Sequence, residues 1–180
     1  NGPTPETIEA LENGAIDFGI VSTPFEGREE MRAVPVRQIE NIFIAGSRFR
    51  EQLEGRELDY RELKDYPCIF LEKKTSTRRF MDQYLEKKGV ALEPEFELAT
   101  SDMIVQFVKR NLGIGCLMSE FAREALERED VFELKFRHAM EKRSFCLITS
   151  LKNPLSPAAK KLLETLSPGG QDSKADRTEI

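Results

Sequence analysis

Short apolar runs, polar turns and segments with apolar residues at helical spacing alternate along the chain, and this rhythm predicts βαβ units. The first helix is expected from Thr4, with a threonine cap, Pro5 at the first helical position, Glu6 in the positive first turn, and Ile8 and Leu11 on one face. Asn13 and Gly14 are its stop. Residues 17–22 (DFGIVS) are apolar on both faces, as a buried parallel strand requires, and a turn-rich stretch follows. Strands are expected at 31–38 and 39–47, and Pro35 marks the first of them as an edge.

Residues 48–66 carry many charges and only short helical pieces, so a crossover between two lobes is expected there. A strand at 68–71 opens the second lobe and leads into a helix that turns Phe80, Met81, Tyr84 and Leu85 inward and stops at Gly89. A strand at 96–99, cap residues Thr100, Ser101 and Asp102, and a helix with Ile104, Phe107 and Val108 inward repeat that plan. Residues 113–119 (GIGCLMS) predict a buried strand whose small residues let a helix pack close. A short helix near 121–126 and strands at 131–136 and 143–150 follow, the last returning the chain to the first lobe. An amphipathic helix at 156–166 has Ala159, Leu162, Leu163 and Leu166 on its apolar face, and the polar residues 168–180 are expected to be disordered.

Composition narrows the function classes. With 180 residues, 39% hydrophobic and 33% charged, the chain can bury a core as one domain or two small lobes. A net charge of −5 repels a phosphate backbone, which argues against direct nucleic-acid binding by these residues. Cys68, Cys116 and Cys146 lie far apart in apolar runs without metal or redox spacing, so they are expected to be buried thiols of a reducing compartment. No apolar run approaches the roughly 20 residues that span a bilayer, and no signal pattern opens the chain, so a cytoplasmic, membrane-free protein is expected.

Little in the sequence suggests catalysis. The single histidine, His138, sits in a polar stretch expected to be a loop, and neither a nucleophile signature nor a phosphate loop accompanies it. One His and three scattered Cys form no metal set, and the acidic clusters at 27–30 and 127–133 have no calcium-loop pattern. The expectation is therefore no enzyme, no cofactor and no metal. Hydroxyl residues do recur where predicted strands end: Ser22 and Thr23, then Thr75, Ser76 and Thr77, then Thr100 and Ser101. Ligands bind at such strand ends in parallel α/β sheets, and hydroxyls beside positive helix N-termini suit a carboxylate or similar anion. Capping its own helix is the alternative role for each.

The order of TPETIEALENGAIDFGIV, IENIFIAGS, LKDYPCIFLEKKTSTRRFMDQYLEKKGV, ATSDMIVQFVKRNLGIGCLMS and SPAAKKLLETL resembles the effector-binding domain of LysR-type transcriptional regulators, over about residues 4–166. The resemblance implies two Rossmann-like lobes of mostly parallel sheet, similar to periplasmic solute-binding proteins, with the effector in the cleft. Lobe one would hold 1–46 and 147–167, lobe two 47–146. It implies effector contacts at Thr4, at Ser22 and Thr23, and at Thr100 and Ser101. The family's winged helix-turn-helix and an opening strand-helix-strand have no counterpart in the sequence. Lobe one is therefore expected to be N-terminally truncated, with a homodimer or higher homo-oligomer favoured and DNA reached only through the absent N-terminal domain. A solute-binding protein of a transport system is the alternative function on the same fold.

Overall fold

The computed structural model describes residues 4–153 and 155–166, with side chains as far as Lys161; the tail expected to be disordered and the side chains of Leu162, Leu163 and Leu166, expected on an apolar face, lie outside this description. The helices are α1 (Thr4–Glu12), α2 (Arg50–Leu53), α3 (Ser76–Lys87), α4 (Ser101–Lys109), α5 (Ser119–Glu127) and α6 (Pro157–Leu166). The strands are β1 (Phe18–Ser22), β2 (Met31–Ile39), β3 (Asn41–Gly46), β4 (Glu57–Leu58), β5 (Cys68–Leu71), β6 (Phe96–Leu98), β7 (Ile114–Met118), β8 (Val131–Glu133), β9 (Lys135–Phe136) and β10 (Arg143–Ser150).

Two sheets organise two lobes. The first has the order β1-β10-β2, and the second β6-β5-β7-β3-β8. The α/β two-lobe architecture stands, and its sheets are mixed. Parallel pairing joins β5 to β6 and to β7, and β4 to β9, whereas β10 runs antiparallel to both β1 and β2, and β3 antiparallel to β7 and β8. The reason is the returning strand: β10 comes back from lobe two and inserts between β1 and β2. An apolar run fixes neither direction nor burial on both faces: Val21 of β1 is buried, whereas Ile20 is 54% exposed.

Two expected boundaries move. Residues 41–46, expected in lobe one, pair within the second sheet, and 143–146, expected in lobe two, pair within the first. The chain therefore changes lobe at Glu40 and again between Phe136 and Arg143. Residues 48–66 are not a crossover. Leu53, Leu58, Tyr60 and Leu63 are spaced singly among their charges, and all four are buried in the lobe-two core with Phe43 and Phe70. Widely spaced anchors leave no periodic apolar face for a sequence reading to detect.

Other expectations hold. Gly14 and Gly89, at φ +71 each, end α1 and α3 in the left-handed conformation that glycine adopts without strain. Ile8 and Leu11 of α1 pack on Val21, Cys146 and Ile148, which forms the lobe-one core. Among the described residues β2 pairs only with β10, and Pro35 stands opposite Cys146 beside a bulge that leaves Val36 without a partner. An edge bulge is where a residue without an N–H does least damage to a ladder. Thr100 caps α4, whose Ile104 and Val108 are fully buried.

The close helix approach expected at β7 is centred on Gly115. A Cβ there would lie 2.5 Å from Ile104 Cγ2 and 2.8 Å from Val108 Cγ2. Gly115→Ala is therefore expected to cost about 1–3 kcal/mol by overpacking. An unchanged urea midpoint would show that α4 and β7 are not in tight contact.

All three cysteines are buried, as expected. Burial, reinforced by Glu95, pushes the Cys68 thiol up to about 12, and burial raises Cys116 and Cys146 as well. The thiols thus stay protonated and shielded, so a thiol reagent at pH 8 is expected to label the urea-unfolded chain at all three sites and the native chain at none. One fast equivalent in native protein would contradict the packing. The sign for stability follows: with the unfolded thiol near 9.0 and the folded Cys68 near 12, stability falls as pH rises across that interval.

Candidate functional site

Three segments meet where the lobes face each other. The start of α1 contributes Thr4, Pro5 and Ile8; the loop after β1 contributes Pro24, Phe25, Glu26 and Arg28; α3 contributes Ser76, Arg79, Phe80 and Gln83. They enclose a cavity of about 490 Å³. The α3 residues fall at i, i+3, i+4 and i+7, which puts them on one helical face. Pro5, Ile8, Phe25 and Phe80 make an apolar wall, and the polar groups stand around it.

The electrostatics favour an anion. No acidic residue occupies the first turn of α3, so the partial positive charge of that helix end is not offset locally. Arg79 lies within this turn and forms no ion pair among the described residues, whereas Arg28 is engaged by Glu12 at 2.8 Å. Glu26 is the one carboxylate on the cavity wall.

Behind the wall lies a buried polar cluster. Arg143 is 3% exposed; its Nη2 donates to Asn41 Oδ1 at 2.9 Å and Thr77 Oγ1 at 3.1 Å, and its Nη1 donates to the Thr23 carbonyl at 3.3 Å and Ser22 Oγ at 3.5 Å. Its guanidinium stacks 4.6 Å from the Phe80 ring centroid. Burial pulls Arg143 down to about 10, which leaves it charged at neutral pH. Ser22 Oγ donates in turn to Ser76 Oγ at 2.8 Å. A guanidinium can only donate, and Ser22 has a single hydroxyl proton, so Ser76 is left with its own proton for an acceptor on the cavity side.

Of the hydroxyl residues singled out from sequence, Thr4 and Ser76 line the cavity. Ser22 is buried directly behind Ser76, and Thr23 Oγ1 accepts from the Ser144 amide at 2.9 Å. Thr75 caps α3, accepting from the Arg78 amide at 3.2 Å and donating to the Glu72 carbonyl at 2.9 Å. Thr100 caps α4 by accepting from the Met103 amide, and Ser101 is buried in that helix's first turn. Thr100 and Ser101 stand at the end of β6, beside the β5 joint that carries Thr75 and Ser76, yet neither lines the cavity. The structure thus joins the first four joint residues and Thr4 into one neighbourhood and leaves the α4 cap one joint away.

Sequence reasoning missed Arg79, Gln83 and Arg143. The first two were within reach, because they follow Ser76 by three and seven residues on a helix that the pattern had already identified. Arg143 was not, since its partners are up to 121 residues away. His138 is in an exposed loop, as expected, and its backbone carbonyl accepts from Tyr60 and Tyr84 hydroxyls at 2.9 and 3.3 Å. Among the described residues no group of three or more His, Cys, Asp or Glu side chains is placed to hold a metal, and no helix is long and apolar enough to cross a membrane.

Known proteins of similar sequence are transcription regulators. The RuBisCO operon transcriptional regulator of Acidithiobacillus ferrooxidans is 24% identical over 93% of this chain and 53% of its own length. The HTH-type transcriptional regulator cbl of Klebsiella aerogenes is 26% identical over 77% of this chain and 43% of its own. The chain thus spans about half the length of the curated relatives it matches. Among solved structures, the Synechocystis PCC6803 CcmR regulatory domain in complex with 2-PG superposes with a TM-score of 0.77 at 22% identity, covering 89% of this chain and 76% of that one. The effector binding domain of QuiR in complex with shikimate gives 0.73 at 18% identity, covering 92% and 77%. These likenesses establish the fold. The LysR substrate binding domain model matches residues 1–170, nearly the whole chain, and the protein belongs to that family.

Proposed function

We propose that this chain is the ligand-sensing domain of a LysR-type transcriptional regulator, and that it binds a small anionic metabolite in the interlobe cavity to modulate DNA binding by a separate helix-turn-helix domain of a homo-oligomeric regulator. One observation carries the reading: a cavity shared by both lobes joins an arginine without an ion pair among the described residues, an acid-free helix N-terminus and a hydroxyl donor to an apolar wall. The ligand that fits is a carboxylate or phosphate ester with an apolar face.

Arg79 supplies the charge, Ser76 and Thr4 donate hydrogen bonds, and Gln83 reads a further polar group. Ser22, Thr23 and Thr75 set these groups in place, and Thr100 and Ser101 extend the site at the neighbouring joint. A ligand held by α1 from lobe one and α3 from lobe two changes the lobe arrangement only through unequal affinity for the two arrangements. The reading gains support from relatives that are transcription regulators and from neighbours described with small molecules bound, 2-PG and shikimate.

Calorimetry with a panel of small carboxylates and phosphates, 2-PG and shikimate among them, tests the site. At least one compound is expected to bind. Arg79→Ala should weaken it about tenfold or more, the usual worth of a charge-assisted hydrogen bond. Ser76→Ala should weaken it less, and Thr100→Ala least. A panel without a binder, or an affinity indifferent to both Arg79→Ala and Ser76→Ala, would overturn the assignment.

A further inference from the structure

Among the described residues two arginines are buried at 3% exposure each, and their surroundings differ in kind. Arg78 is compensated within lobe two: it pairs with Asp82 and Glu97 at 2.9 Å each and donates to the Leu71 carbonyl. Among the described residues Arg143 meets only neutral acceptors, and those come from both lobes. Its backbone belongs to the first sheet, where it pairs with Ile39, while its side chain reaches lobe two at Asn41, Thr77 and Phe80. Ser22 and the Thr23 carbonyl complete its surroundings from lobe one.

Two details make this contact releasable. Arg143 belongs to the first sheet, so separation of the lobes would load its lobe-two bonds, at 2.9 and 3.1 Å, and leave its lobe-one bonds, at 3.3 and 3.5 Å, within one body. Arg143 Nε is buried without a hydrogen-bond partner among the described residues. An unpaired buried donor disfavours this arrangement, and separation of the lobes would let water satisfy it. A guanidinium with no carboxylate partner likewise recovers hydration when released. The junction thus sets four hydrogen bonds against an unpaired donor and a buried charge without a carboxylate partner among the described residues, which lowers the cost of releasing it.

We propose that Arg143 is a releasable pin between the lobes, rooted in the first sheet and seated in lobe two, and that its clasp responds to occupancy of the cavity directly in front of it. The second half rests on the effector reading above. The route is short: Phe80, on which Arg143 stacks, and Ser76, to which Ser22 donates, both line the cavity. A ligand that shifts either side chain changes a contact that Arg143 depends on.

The test needs no ligand. Spin labels on Arg32→Cys in lobe one and Lys87→Cys in lobe two, both exposed positions, report the interlobe distance by pulsed electron resonance, and the native thiols are buried. The parent is expected to give one narrow distance distribution. Arg143→Met should broaden or shift it, and Arg143→Lys should fail to restore it, because one ammonium cannot fork across both lobes. If Arg143→Met does not fold, Ser22→Ala and Thr77→Ala each remove one clasp contact while leaving the charge, and each should broaden the distribution in part. A folded Arg143→Met with the parent distribution, rescue by lysine, or no change in both hydroxyl variants would overturn the pin. Since the readout is ligand-free, a panel that yields no binder sinks the effector site and leaves the pin standing, and the reverse result does the opposite.

Discussion

A positive charge taken out of water at the junction of two lobes has to be satisfied by whatever the lobes present, and much of the cleft's geometry follows from that requirement. Arg143 fixes Asn41 at the start of β3, Thr77 in the first turn of α3, and the end of β1 through Ser22 and Thr23. Those are the elements that bound the cavity from behind. The guanidinium also imposes direction on the hydroxyls beside it, because a group that only donates turns Ser22 into an acceptor and leaves the Ser76 proton facing outward. Anion preference on this account begins one layer beneath the cavity surface.

The two cores hold that junction in different ways. Lobe two is the larger body, with β5, β7 and β3 buried throughout most of their length and α4 pressed onto Gly115. Lobe one rests on a three-stranded sheet whose small core is closed by α1. Its central strand, β10, enters directly from the junction at Arg143, so the side chain that spans the lobes and the strand that organises lobe one are consecutive parts of one element.

The elements whose burial is periodic were legible in the sequence. α3 announced itself through Phe80, Met81, Tyr84 and Leu85, α4 through Ile104 and Val108, and the stops at Gly14 and Gly89 through glycine's access to positive φ. Strand direction, the sheet to which 41–46 belongs, and the burial of Leu53, Leu58, Tyr60 and Leu63 were not legible, since they depend on pairings made across the fold. The site divides in the same way. Ser76 was found as a hydroxyl at a helix start and Thr4 through the family resemblance, whereas Arg143, the charge behind Ser76, looks like any strand-end arginine until the chain brings Ser22, Asn41 and Thr77 around it.

The proposed place of ligand recognition is the cavity between α1, the loop after β1 and α3. Backbone amide chemical-shift mapping during a titration with a binding compound addresses it most directly. The account predicts that the largest perturbations fall on residues 4–8, 25–28 and 76–83, with a second set at 143–144 where the pin adjusts. Perturbations concentrated on the groove between α4 and α5, around Gln106, Phe121 and Arg128, with residues 76–83 unmoved, would contradict it.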